Sequence, residues 1–269
     1  MLRYVTALLL ACCAVHMQDA IADNELPFLA TTDIARSNVP AQPGEPATLT
    51  VHVGDPQSAL TILASVDGVS VIDSDAGSVR LLFDSRPTFI AAPQQRHLQS
   101  SFVIDYDEAS VQMLKNDLRA RLERQPTPAE ITRYVYEHIS DKTYSRSFDL
   151  ASRVAEYGQG DCTEHAVLLA ALARAHGYAA RVTFGTLIFD VDTDTMAFGH
   201  AWTEVYDDSA WHIADATVDS AEDDAIFMRY LPAVALQNEG PGYGLEIMSL
   251  LNTMPLKISQ YGGNTVKAP

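Results

Sequence analysis

Glu156-Tyr157-Gly158-Gln159-Gly160-Asp161-Cys162-Thr163-Glu164-His165, continued by AVLLAALARAHG to Gly177, is the stretch on which the reading of this chain turns. Its glycines mark a tight loop. Asp161, with Glu164 three residues on, forms a capping-box pair that starts a helix at Cys162. Gly177 supplies the stop. From Ala166 to Ala173 the run is apolar on every side, so the helix is expected inside the core. A thiol in the first turn lies near the positive end of the helix dipole and beside backbone N–H groups that lack helical partners. Both favour a thiolate, and the same N–H groups can hold the oxyanion of a tetrahedral intermediate. The carboxylates of Asp161 and Glu164 work against the thiolate.

Toward the C-terminus, residues 181–218 read as an antiparallel set of strands. Arg181-Val182-Thr183-Phe184 begins it, DVDTDT at 190–195 turns it, Gly199 to Tyr206 forms a second strand and Trp211 to Thr217 a third. A hairpin symmetric about Asp208-Ser209 sets Tyr206 opposite Trp211, Trp202 opposite Asp215 and His200 opposite Thr217. His200 and Asp215 are then diagonal neighbours on one face, about 7–8 Å apart at Cβ, a gap their side chains can close. A slip of one residue would separate them. An Asp–His pair is what a cysteine nucleophile needs: the imidazole takes the thiol proton and later gives one to the leaving amine, and the carboxylate fixes the tautomer. Trp202 sits between the two on the same face, placed either to shield them from water or simply to fill the core.

GDCTEHAVLLAALARAHGYAARV, GHAWTEVY and WHIADAT together resemble the three core motifs of the transglutaminase-like superfamily, in the order Cys, His, Asp. The resemblance covers roughly residues 105–218. It implies an α+β, papain-like fold with a buried Cys helix packed on an antiparallel sheet. It also implies Cys162 as nucleophile, His200 as base and acid, and Asp215 as the orienting carboxylate. The substrate class implied is a protein or peptide amide, attacked through a thioester that an amine or water resolves. The superfamily holds cross-linking transglutaminases, peptidases, other amide hydrolases and proteins without activity. No cofactor or metal is expected. The Asp190, Asp192 and Asp194 run starts like a calcium loop but carries Thr195 and Ala201 where glycine and glutamate are required, so it reads as an acidic turn. Gln159 and Tyr157 are weak candidates for a second oxyanion donor or a substrate contact.

The N-terminal half is less eloquent. Arg3, the apolar run from Val5 to Val15 and Ala20-Ile21-Ala22 read as a signal peptide over 1–22, cleaved after Ala22, which makes the protein periplasmic or secreted. A lipobox ending at Cys12 is the alternative. Cys12 and Cys13 fall within that signal, so the mature chain keeps a single cysteine, Cys162, without a disulfide partner. Residues 23–46, with four prolines, read as an extended leader. Residues 47–104 read as a small β-rich module with strands at 48–53, 60–63, 69–72 and 79–83 and a hairpin turn at Asp75-Ala76-Gly77. Two amphipathic helices follow, one through Val111, Leu114, Leu118 and Leu122, the other capped by Thr127 and Glu130. Residues 105–218 form the catalytic domain, and 219–269 are a tail without an assigned structure or role.

Eighteen basic against 35 acidic side chains give a net charge of −17, which argues against nucleic acid or an anionic membrane as partner. No segment is long and apolar enough for a transmembrane helix. The composition leaves the oligomeric state open. Two further readings compete with an enzyme. A non-catalytic assembly module has no reason to keep Cys162, His200 and Asp215 together. A zinc site could recruit Cys162 and His165, at i and i+3, with His200 and Asp215.

Overall fold

The computed structural model describes residues 31–142, 148–191, 194–218, 226–250 and 253–264. The signal-like segment with Cys12, Cys13 and Ala22 lies outside the described residues, as does the tip of the 190–195 turn. Among those described are two sheets and six helices, a mixed α+β architecture.

The cysteine helix, α5 (Cys162–Ala175), begins where the capping box places it. Asp161 accepts from the Thr163 N–H, and Glu164 returns a carboxylate oxygen to the Asp161 N–H at 3.0 Å. Such a cap contributes about 1 kcal/mol. Gly160 is obligatory here: it adopts φ +145°, and a Cβ would lie 2.2 Å from the Glu164 Cβ. Cys162 through Arg174 are all buried. The C-terminal end is clamped by Arg174, whose guanidinium grips Glu239 in a buried two-pronged pair and donates to the Ala180 carbonyl. Three helices pack around α5: α2 (Ala109–Leu122), α3 (Pro128–His138) and α4 (Ala151–Tyr157). The Thr127–Glu130 capping box that starts α3 forms as the sequence predicts.

Against α5 lies a four-stranded antiparallel sheet in the order β7-β6-β5-β8, comprising β5 (Ala179–Val191), β6 (Asp194–Asp207), β7 (Ala210–Ala214) and β8 (Ile226–Ala235). Asp208 and Ser209 both adopt positive φ, 47° and 71°, the conformation a two-residue type I′ hairpin needs. The register follows: Tyr206 faces Trp211, and pairing runs to Thr203 opposite Ala214, where it stops. Ala201, Thr203 and Val205 point to the helices, and the Thr203 hydroxyl donates to the Ala166 carbonyl at 2.7 Å, fastening sheet to helix. Alternation puts His200 and Trp202 on the opposite face, where Trp202 packs with Leu187, Phe189 and Tyr230.

The β-rich module forms a second sheet in the order β1-β9-β2-β4-β3, from β1 (Asp33–Arg36), β2 (Ala47–His52), β3 (Val66–Ser74), β4 (Ser78–Phe89) and β9 (Lys257–Gly263). The β3–β4 turn falls at Asp75–Gly77 as expected. Residues 60–63, expected as a strand, belong instead to α1 (Pro56–Leu63). Asp55 caps it by accepting from the Ser58 N–H, and Pro56 occupies the first helical position, where its missing N–H costs nothing. The segment after Asp219 builds into both sheets. It supplies edge strand β8, helix α6 (Tyr243–Leu250) and β9, which enters between β1 and β2. The module's core also includes Ile188, Ala197 and Leu231 of the four-stranded sheet.

Candidate functional site

Pairing of β7 with β6 stops at Ala214, the β6 edge is taken up again at Phe198 by a bridge to Thr31, and Asp215 follows directly on β7. His200 Nε2 and Asp215 Oδ2 meet at 2.7 Å, with the two residues only 4% and 8% exposed. Asp215 Oδ1 accepts the Thr217 backbone N–H at 3.0 Å. Its Oδ2 accepts a second donor, the Tyr230 hydroxyl at 3.1 Å. Burial by itself would raise the Asp215 carboxyl, yet His200, the Thr217 amide and the Tyr230 hydroxyl together hold it below the usual carboxylate value. The group therefore favours its ionised form beside the His200 ring. Burial, with the Asp215 charge second, drives the Tyr230 phenol well above its ordinary range, so it remains a donor.

Cys162, 5% exposed, sits in the first turn of α5, its thiol close enough to the Ala201 backbone N–H for that donor to favour the thiolate. Ala201 is the residue after His200 on β6. The expectation that the helix start lowers the thiol is corrected in its net sign. Burial first, then the Asp161 charge, push it well above the ordinary value, and Ala201 offsets only part of this. The sum favours the thiol over the thiolate. Asp161 is itself abnormal. Burial, then the charge of Glu164, raise its carboxyl well above the usual range despite two bonds from Thr163.

The Trp202 ring stacks on His200, centroids 6.2 Å apart, and meets Tyr230 edge-on at 5.3 Å, so it walls the imidazole on one side. Gly185 pairs with His200 across the strands and makes room for that indole; a Cβ there would lie 2.6 Å from the ring. His165 is buried, its Nδ1 2.6 Å from the Asp161 carbonyl, and burial lowers it to about 4, so it is neutral. Gln159 and Tyr157 have other neighbours. The Gln159 amide donates to Asp141 at 3.1 Å, and Tyr157 is half-exposed beneath Arg153. Asp190 is engaged by Arg36, Thr195 and Tyr261. Among the described residues no group of three or more His, Cys, Asp or Glu side chains is disposed to hold a metal. Sequence reasoning missed Tyr230. It lies on β8, in the segment after Asp219 to which the sequence reading assigned no structure.

Residues 113–216 match the family model of the transglutaminase-like superfamily, a stretch that encloses Cys162, His200 and Asp215. No curated protein matches the chain in sequence. Among solved structures it is similar to a candidate cysteine protease from Cytophaga hutchinsonii, at 15% identity and TM-score 0.38, over 77% of this chain and 88% of that one. It is also similar to the periplasmic domain of TgpA from Pseudomonas aeruginosa, at 14% identity and TM-score 0.43, over 72% and 84% of the two chains. The ethylmercury-bound form of that domain is 16% identical with TM-score 0.40, and the alignment covers 56% of this chain and 65% of that one.

Proposed function

Taking residues 113–216 as a transglutaminase-like core, we propose that this protein is a cysteine-dependent enzyme acting on amide bonds of proteins or peptides. The observation that carries the reading is the buried 2.7 Å contact between His200 Nε2 and Asp215, which leaves Nδ1 as the ring nitrogen free of the carboxylate, on a strand whose next residue touches the Cys162 thiol. Nδ1 takes the thiol proton as Sγ adds to the amide carbonyl, and Asp215 stabilises the imidazolium that forms. The Cys162 backbone N–H, in the first turn of α5, is the natural oxyanion donor. Collapse of the tetrahedral adduct breaks the C–N bond, passes the proton to the departing amine and leaves a thioester. An amine acceptor then gives transamidation, and water gives hydrolysis. Export is part of the proposal, resting on Arg3 and the apolar run ahead of Ala22.

The test is chemical. An amide-directed thiol-reactive probe should label the wild-type chain at Cys162, and Cys162→Ala should abolish labelling while unfolding remains cooperative. Labelling that persists in the variant rejects Cys162 as nucleophile. Mass spectrometry of peptides incubated with the enzyme and a primary amine separates the two outcomes, since amine incorporation marks transfer and new chain ends mark hydrolysis.

A further inference from the structure

A cavity of about 350 Å³ runs beside edge strand β7 and reaches the rear of the catalytic pair. Arg86 of β4 and Thr132, Arg133 and Tyr136 of α3 line it, together with Asp215 and Tyr230; Cys162 and His200 do not. In a chain of net charge −17, a wall bearing two arginines stands against the prevailing field. Arg133 pairs with Glu137 at 2.8 Å. Arg86 differs: it is exposed, has no carboxylate partner among the described residues, and its guanidinium lies 5.7 Å from the centre of the Tyr230 ring. The one acid in the lining, Asp215, is already engaged by His200, Thr217 and Tyr230, so its lone pairs are committed. Ile213 and Val218 give the cavity an apolar side. The volume is at the small end of ligand sites, room for a side chain or a short peptide end.

We infer that this cavity is a subsite for an acidic group of the peptide substrate, a carboxylate read by Arg86 with an aliphatic stem against Ile213 and Val218. The inference rests on the proposed amide-cleaving or amide-transferring role, and it names the substrate class: peptides carrying a carboxylate near the reacting amide. Guanidinium is the group of choice for a planar carboxylate, since its fork matches both oxygens. A bound acid also completes a line of contacts, from Arg86 across the Tyr230 ring to Asp215 and His200, so that the correct substrate touches the side chains that orient the base.

The experiment uses the full chain carrying Cys162→Ala, so that binding is read without turnover. The C-terminally amidated acetyl-Ala-Glu and acetyl-Ala-Gln, which differ only in the side-chain carboxylate, are titrated calorimetrically, each in the presence and absence of a further Arg86→Gln change. The acid is expected to bind about tenfold more tightly than the amide, as for one charge-assisted hydrogen-bonded contact. Arg86→Gln should erase that difference, and added salt should shrink it. Thermal unfolding of the exposed-site variant checks that the fold is retained. Equal affinity for acid and amide overturns the subsite, as does a preference that survives Arg86→Gln. Inorganic phosphate binding as tightly as the acidic peptide overturns the assignment to substrate and marks a site for free anions. Because a dead variant is used, failure of the enzymatic reading would show as absent turnover in the wild type and leave these affinities to be judged alone.

Discussion

Two aspartates flank the same thiol, both buried, and their surroundings drive them in opposite directions. Asp161 caps the cysteine helix at 5% exposure, and Asp215 faces His200 at 8%. Burial raises both carboxyls. At Asp161 the next influence, the carboxylate of Glu164, raises it further, and Thr163 cannot reverse the sum. At Asp215 the next influences are an imidazole, a backbone amide and a phenol, and all lower it. Depth alone therefore does not decide ionisation; the donors gathered around each oxygen do. One aspartate is shifted toward its protonated form and the other toward its charged form. In the mechanism we propose, this suits a nucleophile that starts as a thiol: the carboxylate beside the base favours its charge, and the acid at the cysteine helix start is disposed to neutrality.

The most severe way to break this contrast is Asp215→Asn. The amide no longer carries the charge that stabilises an imidazolium, and it can present its NH₂ to Nε2 and select the wrong tautomer. Turnover should fall roughly 10³-fold or more, with the fold retained. Unchanged turnover would take Asp215 out of the mechanism. Tyr230→Phe is gentler. It removes one of the donors that lower Asp215, so the carboxylate becomes easier to protonate. We expect kcat to drop about tenfold with KM little changed, one hydrogen bond to a charged group being at stake, and the acid limb of the pH–rate profile to move to higher pH. The linked stability has the same sign. A carboxylate with a lowered folded value stabilises the protein above its unfolded value, and that contribution is lost as pH falls through the folded one. A variant with a lower melting temperature but an unmoved pH profile would reduce Tyr230 to packing.

Much of this site was legible in the sequence because it is built from local rules. The capping box fixes the start of α5, and a two-residue turn at Asp208-Ser209 fixes the register that brings His200 and Asp215 together. What was illegible is non-local. Leu60-Thr61-Ile62-Leu63 suits strand or helix equally by pattern, and only the Asp55 cap with Pro56 tips it to helix. Tyr230 and β9 come from the segment after Asp219, and pairing with strands far away in the chain leaves no periodic mark on their own residues. The thiol's net shift was invisible for the same reason: its sign depends on how deeply surrounding elements bury Cys162, whereas a helix start is visible from sequence alone.

Asp161→Asn sharpens the contrast from its other side and carries the smallest expected effect. Asparagine is as good a helix cap as aspartate, and its Oδ1 can keep the bonds from Thr163 while its NH₂ donates to Glu164 in place of the carboxyl proton. The variant thus copies the protonated form at every pH. Since the Asp161 charge is the second-largest influence raising Cys162, its removal should lower the pH at which iodoacetamide alkylates the thiol and speed alkylation a few-fold at neutrality. Stability gives an independent reading. A carboxyl whose folded value is raised favours the native state at low pH, where both states hold the proton, and loses that advantage as pH climbs from the unfolded value through the folded one. Asp161→Asn should therefore melt higher than wild type at pH 7, and the gain should vanish below about pH 4, where the unfolded aspartate is protonated too. A variant that is less stable at neutral pH, with a slower-reacting thiol, would mean that Asp161 works as an anion, and the opposition between the two aspartates would be lost.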